Sequence, residues 1–140
     1  MERIVVGVDG SETARDALQW AVDEARRRNA TVEAIYVWHQ PFATGFAEMG
    51  ELDIEQFARD AQQILDAVVD SVDAAGIAPV ERKLVTGGAA SALVAEAKGA
   101  ALLVVGSRGR GGFTGLLLGS VSQQVAHHAP CPVVIIPAAA

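Results

Sequence analysis

Apolar residues along this chain alternate between two spacings. Arg3 to Val8 (RIVVGV) is a short, nearly continuous apolar run, which predicts a strand covered on both faces, as in a parallel sheet. After Asp9-Gly10-Ser11, the residues Ala14, Ala17, Leu18, Ala21, Val22 and Ala25 recur at helical spacing. Ser11 or Thr13 is the candidate cap, and Thr13 with Asp16 has the spacing of a capping box. Arg26-Arg27-Arg28-Asn29 closes this helix, with cations at the negative end of its dipole. The three arginines read as a solvated helix end rather than a nucleic-acid patch.

Thr31 to Trp38 (TVEAIYVW) is the second strand. His39 to Gly50, with Pro41, Gly45 and two phenylalanines, is the least regular stretch, of the kind that forms a functional lid or a mobile loop. Asp53 is placed to cap a long helix whose buried stripe is Ile54, Phe57, Ala61, Ile64, Leu65, Val68 and Val72, with Gly76 ending it. Val80 to Thr86 is a third strand, made polar by Glu81 and Lys83 as an edge would be. A short helix over Ala90 to Lys98, a strand over Ala101 to Val105, a helix over Ser120 to Ala129 and a strand over Val133 to Ile136 complete the chain. Strands and helices alternate throughout, which predicts an α/β domain with a parallel sheet and helices on both faces.

Composition narrows this picture. The 140 residues suit a single domain spanning 1–140, and 51% hydrophobic content argues against disorder. The net charge of −6 disfavours nucleic acid as a partner. No apolar run is long enough to span a bilayer and no signal peptide opens the chain, so the expectation is a cytoplasmic protein without a membrane anchor. Cys131 is the one cysteine, which excludes an internal disulfide, and no metal-ligand spacing links it to the three histidines. All 17 acids lie at or before Glu96, while the formal charges beyond it are Lys98, Arg108 and Arg110. That half of the chain carries no carboxylate to repel an anion.

The same half contains GSRGRGGFTGLLLGSVS, from Gly106 to Ser122. An apolar strand leads in and a helix start leads out, the arrangement by which proteins hold phosphate on backbone N–H groups. A P-loop is excluded, because no Lys follows Lys98. A dinucleotide fingerprint fails too, since Thr114 stands where the last glycine belongs. What fits is Gly106, two residues, Gly109, nine residues, then Gly119-Ser120.

That spacing resembles the ATP-binding branch of the universal stress protein family. The resemblance runs from Ile4-Val5-Val6-Gly7-Val8-Asp9-Gly10-Ser11 to Ala129-Pro130-Cys131-Pro132-Val133-Val134. It implies an adenine nucleotide alpha hydrolase-like fold: a five-stranded parallel open sheet of order 3-2-1-4-5. In that order the carboxyl ends of strands one and four meet at the switch point, where open α/β sheets bind ligands. Asp9 and Gly106 sit at those two ends. One departure is visible: the family often carries Asp before the fourth strand, where this chain has Ala101. That position bears on the start of the strand rather than on binding.

The expected nucleotide contacts follow. Gly106, Gly109, Gly119 and Ser120 are assigned to the phosphates, with Val121 and Ser122 adding N–H groups at the helix start; the competing reading is that the glycines make turns and allow close packing. Asp9 has two readings. It bonds ribose or adenine donors or holds a divalent ion (Mg or Mn) against the phosphates, or it is a turn residue before the first helix. Gly10 and Ser11 are its neighbours at the ligand. The resemblance places Val37 under the adenine; the alternative is a buried strand valine. Arg108 and Arg110 pair with phosphates or point into solvent. His127 and His128 read as solvated rings at a helix end.

Three functions compete. The first is an ATP-occupied regulatory module of a stress response, which signals through occupancy rather than turnover. The second is a slow ATPase or autokinase, which would need a positioned base, a metal and charge clamps. The third is a related module that prefers cyclic AMP. A homodimer through the apolar edge strand Val133 to Ile136 is expected, unless the tail from Pro137 to Ala140 blunts that edge.

Overall fold

The computed structural model describes residues 1–38, 51–107 and 119–138, with the side chains of the second helix from Ile54 onward. The stretch His39 to Gly50 and the residues Arg108, Gly109 and Arg110 lie outside the described residues. Strands and helices alternate as β1 (Arg3–Val8), α1 (Glu12–Arg28), β2 (Thr31–Trp38), α2 (Glu51–Asp70), β3 (Glu81–Thr86), α3 (Ala89–Glu96), β4 (Leu102–Gly106), α4 (Ser120–His128) and β5 (Val133–Ile136). The sheet order is β3-β2-β1-β4-β5, as expected, and every pairing is parallel.

Side-chain alternation along the central strands divides the core in two. Ile4, Val6 and Val8 of β1, with Leu102 and Val104 of β4, pack against α1 and α2. Val5 of β1, with Leu103 and Val105 of β4, packs against α3 and α4. Both faces of β1 and β4 are therefore covered, which is why their sequences read as unbroken apolar runs. Helix α1 buries the six apolar residues that its spacing marked out: Ala14, Ala17, Leu18, Ala21, Val22 and Ala25. Four of these are alanines, so the helix axis lies close to the strands.

Ser11, not Thr13, caps α1: its hydroxyl accepts the Ala14 N–H at 3.1 Å, and Thr13 is already helical. Asn29 ends the helix in the left-handed conformation, at φ 56°. The three arginines are engaged in ion pairs: Arg26 with Asp23, and Arg27 and Arg28 with Glu24.

Two expectations about α2 fail. The helix already runs at Glu51, so Asp53 lies within its first turn instead of capping it. Its end is Asp70, well before Gly76. Neighbouring side chains take over the carbonyls there. The Ser71 hydroxyl donates back to Val68 O at 2.7 Å, Arg15 donates to Ser71 O at 3.1 Å, and Arg26 donates to Asp73 O at 2.6 Å. These bonds draw the α2–β3 connection onto α1, and Gly76 turns it with φ +86°. Phe57, expected in the buried stripe, is 39% exposed; the burial of α2 starts one turn later, at Ala61.

Strand β3 is an edge with exposed Glu81, Arg82 and Lys83. Arg82 reaches Asp66 and Asp70 of α2 at 2.8 and 2.7 Å, and its hydrogen bond holds the Asp66 carboxyl below the usual carboxylate value. Such exposed pairs fix position more than they stabilise. At the amino end of the sheet Arg3 donates to Glu96 O and Lys98 O, at 3.1 and 2.8 Å, which satisfies carbonyls at the end of α3. The same guanidinium faces the buried Glu33 carboxylate at 3.5 Å. Among the described residues, no helix is long and apolar enough to cross a membrane.

Candidate functional site

The crevice at the carboxyl ends of β1 and β4 forms because those strands are neighbours, in register from Ile4↔Leu102 to Val6↔Val104. The starts of α1 and α4 both follow from these strand ends, one helix on each face of the sheet. On the β1 side Asp9 follows the last strand residue, and its Oδ1 accepts the Ser11 N–H at 2.8 Å. Ser11 then caps α1, so Asp9 makes the turn between β1 and that helix. Gly10 is exposed, and Ser11 is half-buried.

On the β4 side, Gly106 is the last strand residue. A methyl built on its Cα would stand 2.6 Å from Thr13 Cγ2 and 3.4 Å from the Thr13 backbone carbon. Close packing is therefore one reason for a glycine here. The contact also ties the first turn of α1 directly to the end of β4.

The next residue, Ser107, carries no expectation from the sequence, yet it is the junction of the site. It is 5% exposed. Its N–H donates to Ile136 O at 2.7 Å and its carbonyl accepts the Gly119 N–H at 2.6 Å. Its hydroxyl accepts the Ala138 N–H at 3.1 Å. The Ser122 hydroxyl donates to the same Ser107 carbonyl at 3.0 Å. The base of the glycine-rich stretch is thereby closed, with Gly106-Ser107 bonded to Gly119 across it. The one signal in the sequence was a serine directly after a buried strand, where a hydroxyl must find partners.

Helix α4 starts without a side-chain cap, because Gly119 is its N-cap. Gln123 N–H to Gly119 O, at 3.0 Å, is the first bond of the helix. The N–H groups of Ser120, Val121 and Ser122 thus have no partner within the helix, and they carry the positive end of its dipole. The Gly119 N–H, by contrast, is committed to Ser107. Ser120 is exposed and Val121 is 36% exposed, whereas the Ser122 side chain is turned inward at 2%.

Val37 stands one residue beyond the last β1–β2 pair, Val8↔Tyr36, and pairs with Val85 on the other side. It is half-buried and packs against the core face that includes Ile35. Among the described residues no group of three or more metal-ligating side chains occurs. A separate groove of about 340 Å³ lies between α3 and α4; Lys98, Gln124 and His128 line it, and none of the crevice residues does.

Residues 1–137 match the model of the universal stress protein family. The chain belongs to that family. A universal stress protein of Mycobacterium tuberculosis is 36% identical over 133 residues, which cover 94% of this chain and 44% of the relative. The chain thus spans less than half the length of that universal stress protein. A solved universal stress protein in complex with cAMP superposes with a TM-score of 0.62 at 29% identity, over 96% of this chain and 95% of the other. Another, from Archaeoglobus fulgidus in complex with dAMP, gives 0.70 at 27% identity, over 97% of this chain and 98% of the other.

Proposed function

We propose that this universal stress protein binds ATP in the crevice between Asp9 and the start of α4 and works by occupancy, as a regulatory module of a stress response. The observation that carries this reading is the convergence of the α1 and α4 starts on the ends of adjacent strands. Thr13 against Gly106 fastens one side, and Ser107 bonded to Gly119 fastens the other. Similar proteins in complex with cAMP and dAMP support an adenine nucleotide as the ligand class.

In this reading the N–H groups of Ser120, Val121 and Ser122 receive phosphate oxygens, together with Gly109 and the cations Arg108 and Arg110, while Gly106 and Gly119 give the phosphates close access to the backbone, the Gly119 N–H staying on Ser107. Asp9, Gly10, Ser11 and Val37 form the adenosine side. Asp9 would hold Mg or Mn beside the phosphates and would supply its one carboxylate to a set completed by phosphates and waters, which is usual for Mg²⁺. The cAMP complex of a similar protein favours cyclic AMP as the second ligand to test.

Calorimetric titration with ATP, ADP and cyclic AMP, with Mg²⁺ present, tests the assignment. ATP is expected to bind most tightly and to remain largely intact over hours. Turnover above about 1 per second would make the protein an enzyme instead. Tighter binding of cyclic AMP would replace ATP as the ligand.

The edge strand β5 (Val133–Ile136) is half-buried, and among the described residues no strand pairs with it on the side away from β4. We assign it as the contact of a homodimer. Light scattering is expected to give twice the chain mass; a monomer at high micromolar concentration would remove this assignment.

A further inference from the structure

The geometry points to Ser122 as the positioning residue of the phosphate-binding turn: its hydroxyl faces inward and sets where the Ser120 and Val121 N–H groups aim. This inference rests on the nucleotide reading above. The Ser122 Oγ lies 3.0 Å from the Ser107 carbonyl oxygen and 3.0 Å from the Gly119 carbonyl oxygen. Its single proton serves both acceptors. The Ser107 carbonyl also holds the Gly119 N–H, so one oxygen at the end of β4 fastens the start of α4 twice. That oxygen is itself held in place. The N–H of Ser107 is bonded to Ile136 O of β5, and its hydroxyl accepts from Ala138.

The direction of these bonds matters. An ordinary N-cap side chain accepts an N–H of the first turn and so uses up a donor that a ligand would need. Here the fastening runs from a hydroxyl to carbonyls, which anchors the turn and leaves its N–H groups to point outward. Hydrogen bonds weaken steeply with misalignment, so a loosened turn weakens phosphate contacts first. Contacts to the adenosine moiety come from Asp9 to Ser11 and from Val37, on other elements.

The test compares ATP and adenosine binding to the wild-type chain, Ser122→Ala and Ser122→Cys, with circular dichroism confirming that each is folded. Ser122→Ala is expected to weaken ATP about tenfold, on the scale of one lost buried hydrogen bond, and adenosine by less than about twofold. Cys, a weak donor of similar size, is expected to fall between. It carries the comparison should the alanine variant fail to fold. Hydrogen exchange at saturating ATP supplies a second readout: protection at Ser120 to Gln123 falls in the variant, while protection at Val8 to Ser11 stays. Equal losses for both ligands, unchanged ATP affinity, or uniform loss of protection would overturn the positioning role. A wild-type chain that binds no nucleotide would overturn the nucleotide reading and this inference together.

Discussion

Gly106→Val is expected to cost about 2–3 kcal/mol of stability and to lower nucleotide affinity more than about tenfold. The first added carbon would meet Thr13 Cγ2 at 2.6 Å and Thr13 Cβ at 3.2 Å. Turning the Thr13 χ1 moves Cγ2 away but leaves Thr13 Cβ at 3.2 Å and the Thr13 backbone carbon at 3.4 Å, which do not move with it. Relief requires α1 to lift off β4, and α1 carries Asp9 and Ser11 at its start. Gly7 makes an informative control. A methyl there would meet Leu93 Cδ1 at 2.7 Å, but that atom is the tip of a flexible side chain. Gly7→Ala is therefore expected to cost about 1 kcal/mol and to leave nucleotide binding unchanged. Urea denaturation with calorimetric titration checks both variants. Equal costs at Gly106 and Gly7 would show that the approach of Thr13 does not constrain the crevice.

Leu103→Ala is expected to cost about 2–5 kcal/mol and to lower the melting temperature by about 10 °C. Leu103 is fully buried in the central part of β4, paired with Val5 on one side and Val133 on the other. Its side chain fills the core between the sheet and the α3–α4 layer, which also contains Leu93 and Val125. Close-packed neighbours on both adjacent strands cannot collapse into the space left behind. Nucleotide affinity measured well below the new melting temperature is expected to stay near the wild-type value, because the crevice lies at the strand ends. A loss below about 1 kcal/mol in thermal or urea unfolding would mean that this layer is loosely packed.

The fold was legible in the sequence wherever burial on both faces writes itself as an apolar run. β1 and β2 carry the bounds that their composition suggests, and the helical stripe of α1 matches residue for residue. The ends of α2 were not legible. Its C-terminal end is set where Arg15 and Arg26 reach across from α1 to take carbonyls after Asp70, a contact that no local propensity encodes. Phe57 shows the same limit: an apolar residue at helical spacing says which face it lies on, not whether the sheet extends beneath it.

At the site, glycine and serine spacing marked both rims of the crevice, Asp9 to Ser11 and Gly119 to Ser122. It did not reveal what each polar group does. The Gly119 N–H, expected at a phosphate, is bonded to Ser107, and the Ser122 hydroxyl closes the same junction. Ser107 went unmarked because its partners, Ile136, Ala138, Gly119 and Ser122, are all distant in sequence.

A crystal structure of the protein grown with excess ATP and Mg²⁺ addresses the crevice most directly. The expected result is a triphosphate against Gly106 and the N–H groups of Ser120 to Ser122, with the adenosine between Asp9 and Val37. A vacant crevice at full ligand excess, or ATP bound at another surface, would contradict it.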